Sequence, residues 1–267
     1  MKAISILVLL ALLVGCASSK RGVSSPPEAN EPSDGAAQAT ESRSTHNDDE
    51  FAESITVAHE HLTAGRHGAA ITMLDSVILH YEIEHMQDGV RNYSARSQVE
   101  ALYYLLKGAT ELASGTDEPQ ETLVVSIIWS QAYYLRGYAS IEQMELDQGV
   151  EWLGRAIALA PMNSYYLSEL GHIYQTREEW QRALKTYEAA ERASEFSPKE
   201  VQVKEQGRAM RGIGYVMIET GELEKARSIY ENCLRLDPDD TTAKDELGYI
   251  QGLLAGSAEA AGAAGAE

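Results

Sequence analysis

The chain has 267 residues, 44% of them apolar, and a formal net charge of −19. That is enough material for one domain with a proper core, and it forces no second one. A field this negative repels nucleic acid and anionic lipid headgroups, which leaves basic partners or plain solubility as its uses.

The first element is not core. Lys2 is followed by the apolar run Ile4 to Val14, a charged start and a short hydrophobic stretch that read as a secretory signal over residues 1–15. The run falls short of the roughly 20 residues that cross a bilayer. It closes on Leu13-Val14-Gly15-Cys16. This tetrapeptide resembles the lipobox of bacterial lipoproteins, and the resemblance implies that Cys16 is lipidated, palmitate included, and becomes the mature N-terminus. The alternative is an ordinary cleaved signal with an incidental cysteine. Stable anchoring takes two or more acyl chains, the number the resemblance implies. Ala17, where the family places aspartate to retain a lipoprotein in the inner membrane, implies an outer-membrane lipoprotein facing the periplasm. Residues 16–49 read as a disordered tether: from Ala17 to Asp49 the only large aliphatic is Val23, and no aromatic occurs, so ordering would not be offset by burial. Cys16 and Cys233 are the only cysteines; with Cys16 lipidated, no disulfide forms within the mature chain, and Cys233 reads as packing.

Helical patterning begins at Glu50. Residues 51–84 carry Ala58, Ala70, Leu74 and Val77 at spacings that recur later. His85 to Asn92 reads as a loop, and helices are expected over 95–113 and 118–143, the first with no packing position assigned by the pattern. From Ser130 a 34-residue spacing repeats. Opened at Ser164 it places Leu167, Leu170, Gly171, Tyr174, Ala183, Tyr187 and Ala190; opened at Ser130, Tyr133, Gly137, Leu153, Ala156 and Pro161; opened at Gly207, Met210, Gly214, Ala226, Tyr230, Cys233 and Pro238. Small residues at the eighth and twentieth positions let two helices approach closely, large ones fill the seam, and proline stops the second helix.

These three units resemble the tetratricopeptide repeat. The resemblance implies an all-α, right-handed α-solenoid of helical hairpins, because one hairpin cannot bury its own apolar face. The expected solenoid covers 50–256, with units over 51–84, 130–163, 164–197 and 207–240, a capping helix over 241–254, and a disordered tail over 257–267. Arg136 and Ser140 stand where the family has leucine and an aromatic, so the Ser130 unit is expected to pack less tightly. Between the last two units, Ser197-Pro198-Lys199-Glu200 reads as a cap and helix start, predicting a first helix that begins early and projects beyond its neighbours.

In the family the second, fifth, ninth, twelfth and thirteenth positions of each first helix line a concave groove. Carried over, they nominate a peptide-binding set: Tyr134, Tyr138, Tyr165, His172, Arg208, Arg211 and Tyr215, with Tyr249 from the cap. Tyrosines beside arginines suit peptide recognition, and the two arginines could grip a carboxylate; the alternative use of some tyrosines is packing between hairpins. The basic pattern of chaperone-tail-binding members is not matched. His59, His61, His67, His80 and His85 meet no metal-ligand spacing, and no catalytic or phosphate-cradling motif occurs, so no metal, no cofactor and no enzymatic activity are expected. The functional expectation is a lipid-anchored periplasmic scaffold that binds another envelope protein or peptide through the groove, in envelope, secretion or pilus assembly. Alternatives are a self-assembling structural lipoprotein, a homo-oligomer, and an enzyme with an unrecognised site.

Overall fold

The computed structural model describes residues 35–114 and 121–264, with side-chain surroundings for 48–113 and 121–256. Residues 42–267 form one compact unit; residues 1–41 group by themselves, and of these only 35–41 are described, as the opening of the first helix. The signal segment 1–15, Cys16 and the tether as far as residue 34 lie outside the described residues.

The first hairpin is α1 (Gly35–Thr63) and α2 (His67–His85). Then come β1 (Val90–Ser94), α3 (Gln98–Ser114) and β2 (Glu121–Val125). Three further hairpins follow, α4 (Ile127–Glu142) with α5 (Leu146–Leu159), α6 (Ser164–Thr176) with α7 (Trp180–Ala193), and α8 (Lys199–Glu219) with α9 (Leu223–Leu236). A 3₁₀ turn, Ser194–Phe196, precedes α8, and α10 (Thr241–Ala264) covers the last hairpin.

The four hairpins share one turn. At the fifteenth position of each unit the backbone enters the left-handed region, at Gly65 (φ 70°), Met144 (φ 61°), Glu178 (φ 57°) and Gly221 (φ 79°). The same two hydrogen bonds close every turn; in the first they run from Gly65 N to Leu62 O (2.9 Å) and from Arg66 N to His61 O (2.8 Å). This is the Schellman geometry that satisfies the last carbonyls of a helix. Its recurrence puts residues 51–84 in the same frame as the later units.

Small residues make the crossings. Ala58, Ala70, Ala183 and Ala226 are fully buried. A Cβ added to Gly171 would sit 2.9 Å from the Tyr187 ring, and one added to Gly214 would sit 2.6 Å from that of Tyr230, so each glycine exists to let a tyrosine of the second helix cross it. Cys233 is 1% exposed in the same seam, and burial pushes its thiol up to about 11, a packing group and not a nucleophile. The Ser130 unit is not the looser one that was expected. Ala132, Tyr133, Leu153 and Ala156 are buried in the first core cluster, while Arg136 turns its guanidinium over the Trp152 ring (5.1 Å) and bonds Asp75 of α2 (3.0 Å). The substituted arginine thus packs by its stem and plane.

The stretch between the first two hairpins departs from the expectation. Residues 118–143 are not one helix: Glu121–Val125 is a strand, paired in parallel with Val90–Ser94 in the register Val90↔Glu121 to Ser94↔Val125. Thr122, Val124 and Val125 are β-branched and supply the strand preference. The helix without an assigned place, α3, is the crossover between the two strands, as a parallel connection requires. It presses onto β2 so closely that a Cβ on Gly108 would lie 2.0 Å from Thr122 Oγ1.

α8 begins early, at Lys199, as expected, yet its extension does not project freely. Ser197 makes no cap; its hydroxyl donates to Glu205 Oε2 (2.5 Å). Arg96, at the head of α3, donates to Glu205 Oε1 (2.7 Å) and, through Nε and Nη2, to Glu100 Oε1 (2.9 and 2.8 Å). Glu100 is fully buried and Glu205 8% exposed. The early turns of α8 exist to receive the insertion. Helix also replaces two segments expected to be disordered: the tether is helical from Gly35, and α10 runs on through residues 257–264. Alanine-rich sequence extends a helix already nucleated by its packed part.

Candidate binding face on the first helices

The first helices of the three later hairpins and α10 carry the expected site, and the structure gathers half of it around one carboxylate. Glu169 on α6 is 8% exposed and pairs with Arg208 of α8. The Arg208 guanidinium lies 4.7 Å over the Tyr165 ring. Tyr134 of α4 donates its hydroxyl to that of Tyr165 (3.2 Å) and stacks on Tyr166 at 5.1 Å. His172, one turn on from Ser168, has its imidazole held below the usual range by burial, with Glu169 opposing and Arg208 assisting, so it stays neutral at pH 7. Tyr134, Tyr165, His172 and Arg208 are therefore brought together.

Their availability differs from the expectation. Tyr134 is 7% exposed and is a packing residue, and Ser168 is buried too. Neither arginine is unpaired: Arg208 is engaged by Glu169, and Arg211 donates to Asp240 Oδ2 (2.6 Å). Asp240 also accepts from the backbone N of Ala243 (3.0 Å), capping α10, so Arg211 serves the hairpin-to-cap junction. The grip on an incoming carboxylate is thus largely spent within the chain. Glu169 was missed because its position does not face the groove in the family pattern; a carboxylate four residues from a tyrosine and opposite an arginine one unit later was the available signal.

Tyr138, Tyr165, Tyr215 and Tyr249 remain part-exposed or exposed. Tyr138 has its phenol pushed up to about 12 by burial and by the Glu142 carboxylate beside it. Tyr215 is raised by burial and then by Glu219, Glu246 and Tyr249, which places those four groups in one neighbourhood. Glu246 is itself held above the ordinary carboxylate range by burial, by Asp245 and by Glu219. Among the described residues Glu142, Glu219 and Glu246 form no ion pair with a basic side chain. The face is consequently tyrosine over unpaired carboxylate, with its own cations already neutralised.

Other candidates are absorbed elsewhere. His61 accepts from Arg66 Nε (2.6 Å), His80 pairs with Glu84 (3.1 Å), and His85 stacks on Tyr81 (5.8 Å). Among the described residues no group of three or more His, Cys, Asp or Glu could hold a metal ion, and no helix is long and apolar enough to cross a membrane. A cavity of about 580 Å³ opens where β1 meets α2, α4 and α5, lined by Glu82, Arg91, Trp129, Tyr133 and Arg155 among others. Three of its charges are internally engaged: Tyr133 donates to Glu82 (2.5 Å), Arg155 lies 3.6 Å from the same carboxylate, and Arg91 pairs with Glu111.

Sequence models described as the tetratricopeptide repeat match residues 167–198 and 212–240. No curated protein matches the chain by sequence. Among solved structures, the chain is similar to PilF of Pseudomonas aeruginosa at 15% identity and a TM-score of 0.51, over 76% of this chain and 68% of that one. It is also similar to MamA from MSR-1 (18%, 0.44, 79% and 90%) and to the first repeat domain of Spaghetti (RPAP3) bound to the HSP90 peptide SRMEEVD (19%, 0.41, 47% and 95%). At such identities the likeness is one of fold.

Proposed function

We propose, from the premise that this chain is a tetratricopeptide-repeat protein, that it is a scaffold whose first-helix face takes a basic segment of another protein. Proteins of this repeat act as protein–protein interaction scaffolds, and the fold by itself supplies no catalytic site. The observation that carries the partner's chemistry is the charge arrangement. Arg208 and Arg211 are held by Glu169 and Asp240, whereas Glu142, Glu219 and Glu246 stand beside Tyr138, Tyr215 and Tyr249 with no cation of their own. Lysine and arginine bind such a surface by carboxylate pairing and by cation–π contact with the tyrosine rings. Its place in the cell follows the sequence: the lipobox ending at Cys16 supports a lipid-anchored outer-membrane protein facing the periplasm, and the partner is then another envelope protein, in envelope, secretion or pilus assembly.

Two measurements test this. Fluorescence anisotropy with a lysine-rich and a glutamate-rich peptide of equal length should show binding of the first only, weakened by salt and by Glu219→Gln with Glu246→Gln. Equal binding of both peptides, or no effect of the double change, rejects the reading. Radiolabelled palmitate should enter the natural chain and not Cys16→Ala; label in neither would remove the anchor, and label in both would move it off Cys16.

A further inference from the structure

The insertion offers a second surface, independent of the first-helix face. α3 rests on the small sheet along one side only: Tyr104 is fully buried, its ring stacked on Tyr93 at 4.7 Å and its hydroxyl accepting from Met162 N (3.1 Å). The opposite side carries Val99, Leu102, Leu105, Leu106 and Leu112, exposed by 63, 58, 46, 58 and 55%, with Ala109 among them. All the charges of the helix lie on the other side and are spent. Glu100 is buried against Arg96, while Lys107 and Arg91 both pair with Glu111. Four turns of helix thus present an uncharged apolar face on a protein of net charge −19, and a face of that kind marks an interface.

We infer that this face pairs with the same face of a second copy, α3 against α3 and antiparallel. The spacing is self-complementary about a two-fold axis between Leu105 and Leu106. Leu102 of one copy then stands level with Ala109 of the other, large against small, and Val99 with Leu112, as an isologous contact requires. Charge supports the same occupant. Two such acidic chains repel over most approaches, but here each brings an uncharged surface whose flanking charges are paired within its own copy. A bilayer is the rival occupant, and it is disfavoured because interfacial helices rely on basic residues free to meet anionic lipid, whereas Arg91, Arg96 and Lys107 are paired with carboxylates of the same chain.

The test is sedimentation of the full chain in density-matched detergent, with mild oxidation of a cysteine variant alongside. The natural chain should sediment as a dimer, and Leu102→Glu with Leu106→Glu as a folded monomer with unchanged far-UV circular dichroism, since both side chains are exposed within one copy; its melting temperature should fall only by the stabilisation that dimerisation had supplied. Leu106→Cys should cross-link to twice the mass, whereas Val203→Cys, exposed on α8, and the natural chain should not. Monomer at every concentration overturns the pairing, as does a dimer that survives the double change. A monomer that floats with phosphatidylcholine vesicles only while Leu102 and Leu106 are intact also overturns it, and assigns the face to lipid.

Discussion

The three hairpins from α4 to α9 and the insertion from β1 to β2 are built on opposite principles. In the hairpins a glycine lies under a tyrosine or leucine less than 34 residues away, and the left-handed turn recurs at the same position. Every instruction is local, so the unit can be repeated. The insertion depends on distant residues: Arg96 reaches Glu205, 109 residues on, and Tyr104 reaches Met162, 58 residues on. A repeated unit is specified by its own sequence, whereas an interruption must be specified by what it lands on.

The strongest way to break that contrast is Arg96→Ala. It would leave Glu100, fully buried, and Glu205, 8% exposed, without their cation. Breaking a buried ion network by removing one partner costs about 3–5 kcal/mol, and denaturant unfolding should show a loss of that size. Replacing Arg96, Glu100 and Glu205 together by apolar residues of similar volume should recover most of it. If Arg96→Ala costs no more than a surface change, the insertion is not pinned by this network.

Within the hairpins the corresponding experiment is Gly214→Ala. The new methyl would stand 2.6 Å from the Tyr230 ring, and overpacking of this kind costs about 1–3 kcal/mol. Gly154→Ala is the control: it lies inside α5 with nothing within 4 Å of its added Cβ, so it should gain about 0.5–1 kcal/mol from helix propensity. The same substitution then has opposite signs at a helix crossing in one repeat and on an open helix face in another.

That difference also explains what could be read in advance. Gly137, Gly171, Gly214 and Tyr187 announced the hairpins because the spacing that names them is the spacing that packs them. Val90–Ser94 and Glu121–Val125 gave no comparable signal. Each is five residues long, and a parallel pairing across an intervening helix leaves no mark within either strand. At the candidate site the tyrosines were legible, but the occupation of Arg208 and Arg211 was not. It depends on Glu169 and Asp240, which sit 39 and 29 residues away on elements whose approach only the fold determines.

The shared turn allows a milder perturbation. Met144 holds φ 61° with its side chain 76% exposed, while the first and last hairpins use glycine at the same position. A non-glycine residue in the left-handed region costs about 1–2 kcal/mol, offset in part by the greater freedom glycine has when unfolded. Met144→Gly should therefore raise stability by about 0.5–1 kcal/mol in thermal or denaturant unfolding. A loss instead would mean that the methionine makes contacts its exposure does not suggest.

The smallest expected effect separates the two uses of the first-helix face. Burial, Asp245 and Glu219 hold the Glu246 carboxyl above its ordinary range, so the folded chain binds its proton more tightly than the unfolded chain does. Its contribution to stability is therefore favourable at low pH and is lost as pH rises through the raised value. Glu246→Gln removes the charged form and should stabilise the chain at pH 7 by less than about 0.5 kcal/mol, the exposure of the site discounting the rest. The gain should vanish in acid. The same substitution should weaken capture of a lysine-rich peptide, because the carboxylate that burdens the free protein is one that a basic partner would neutralise. Stability and affinity must move in opposite directions; if both fall together, Glu246 serves packing and the basic partner must be sought on another surface.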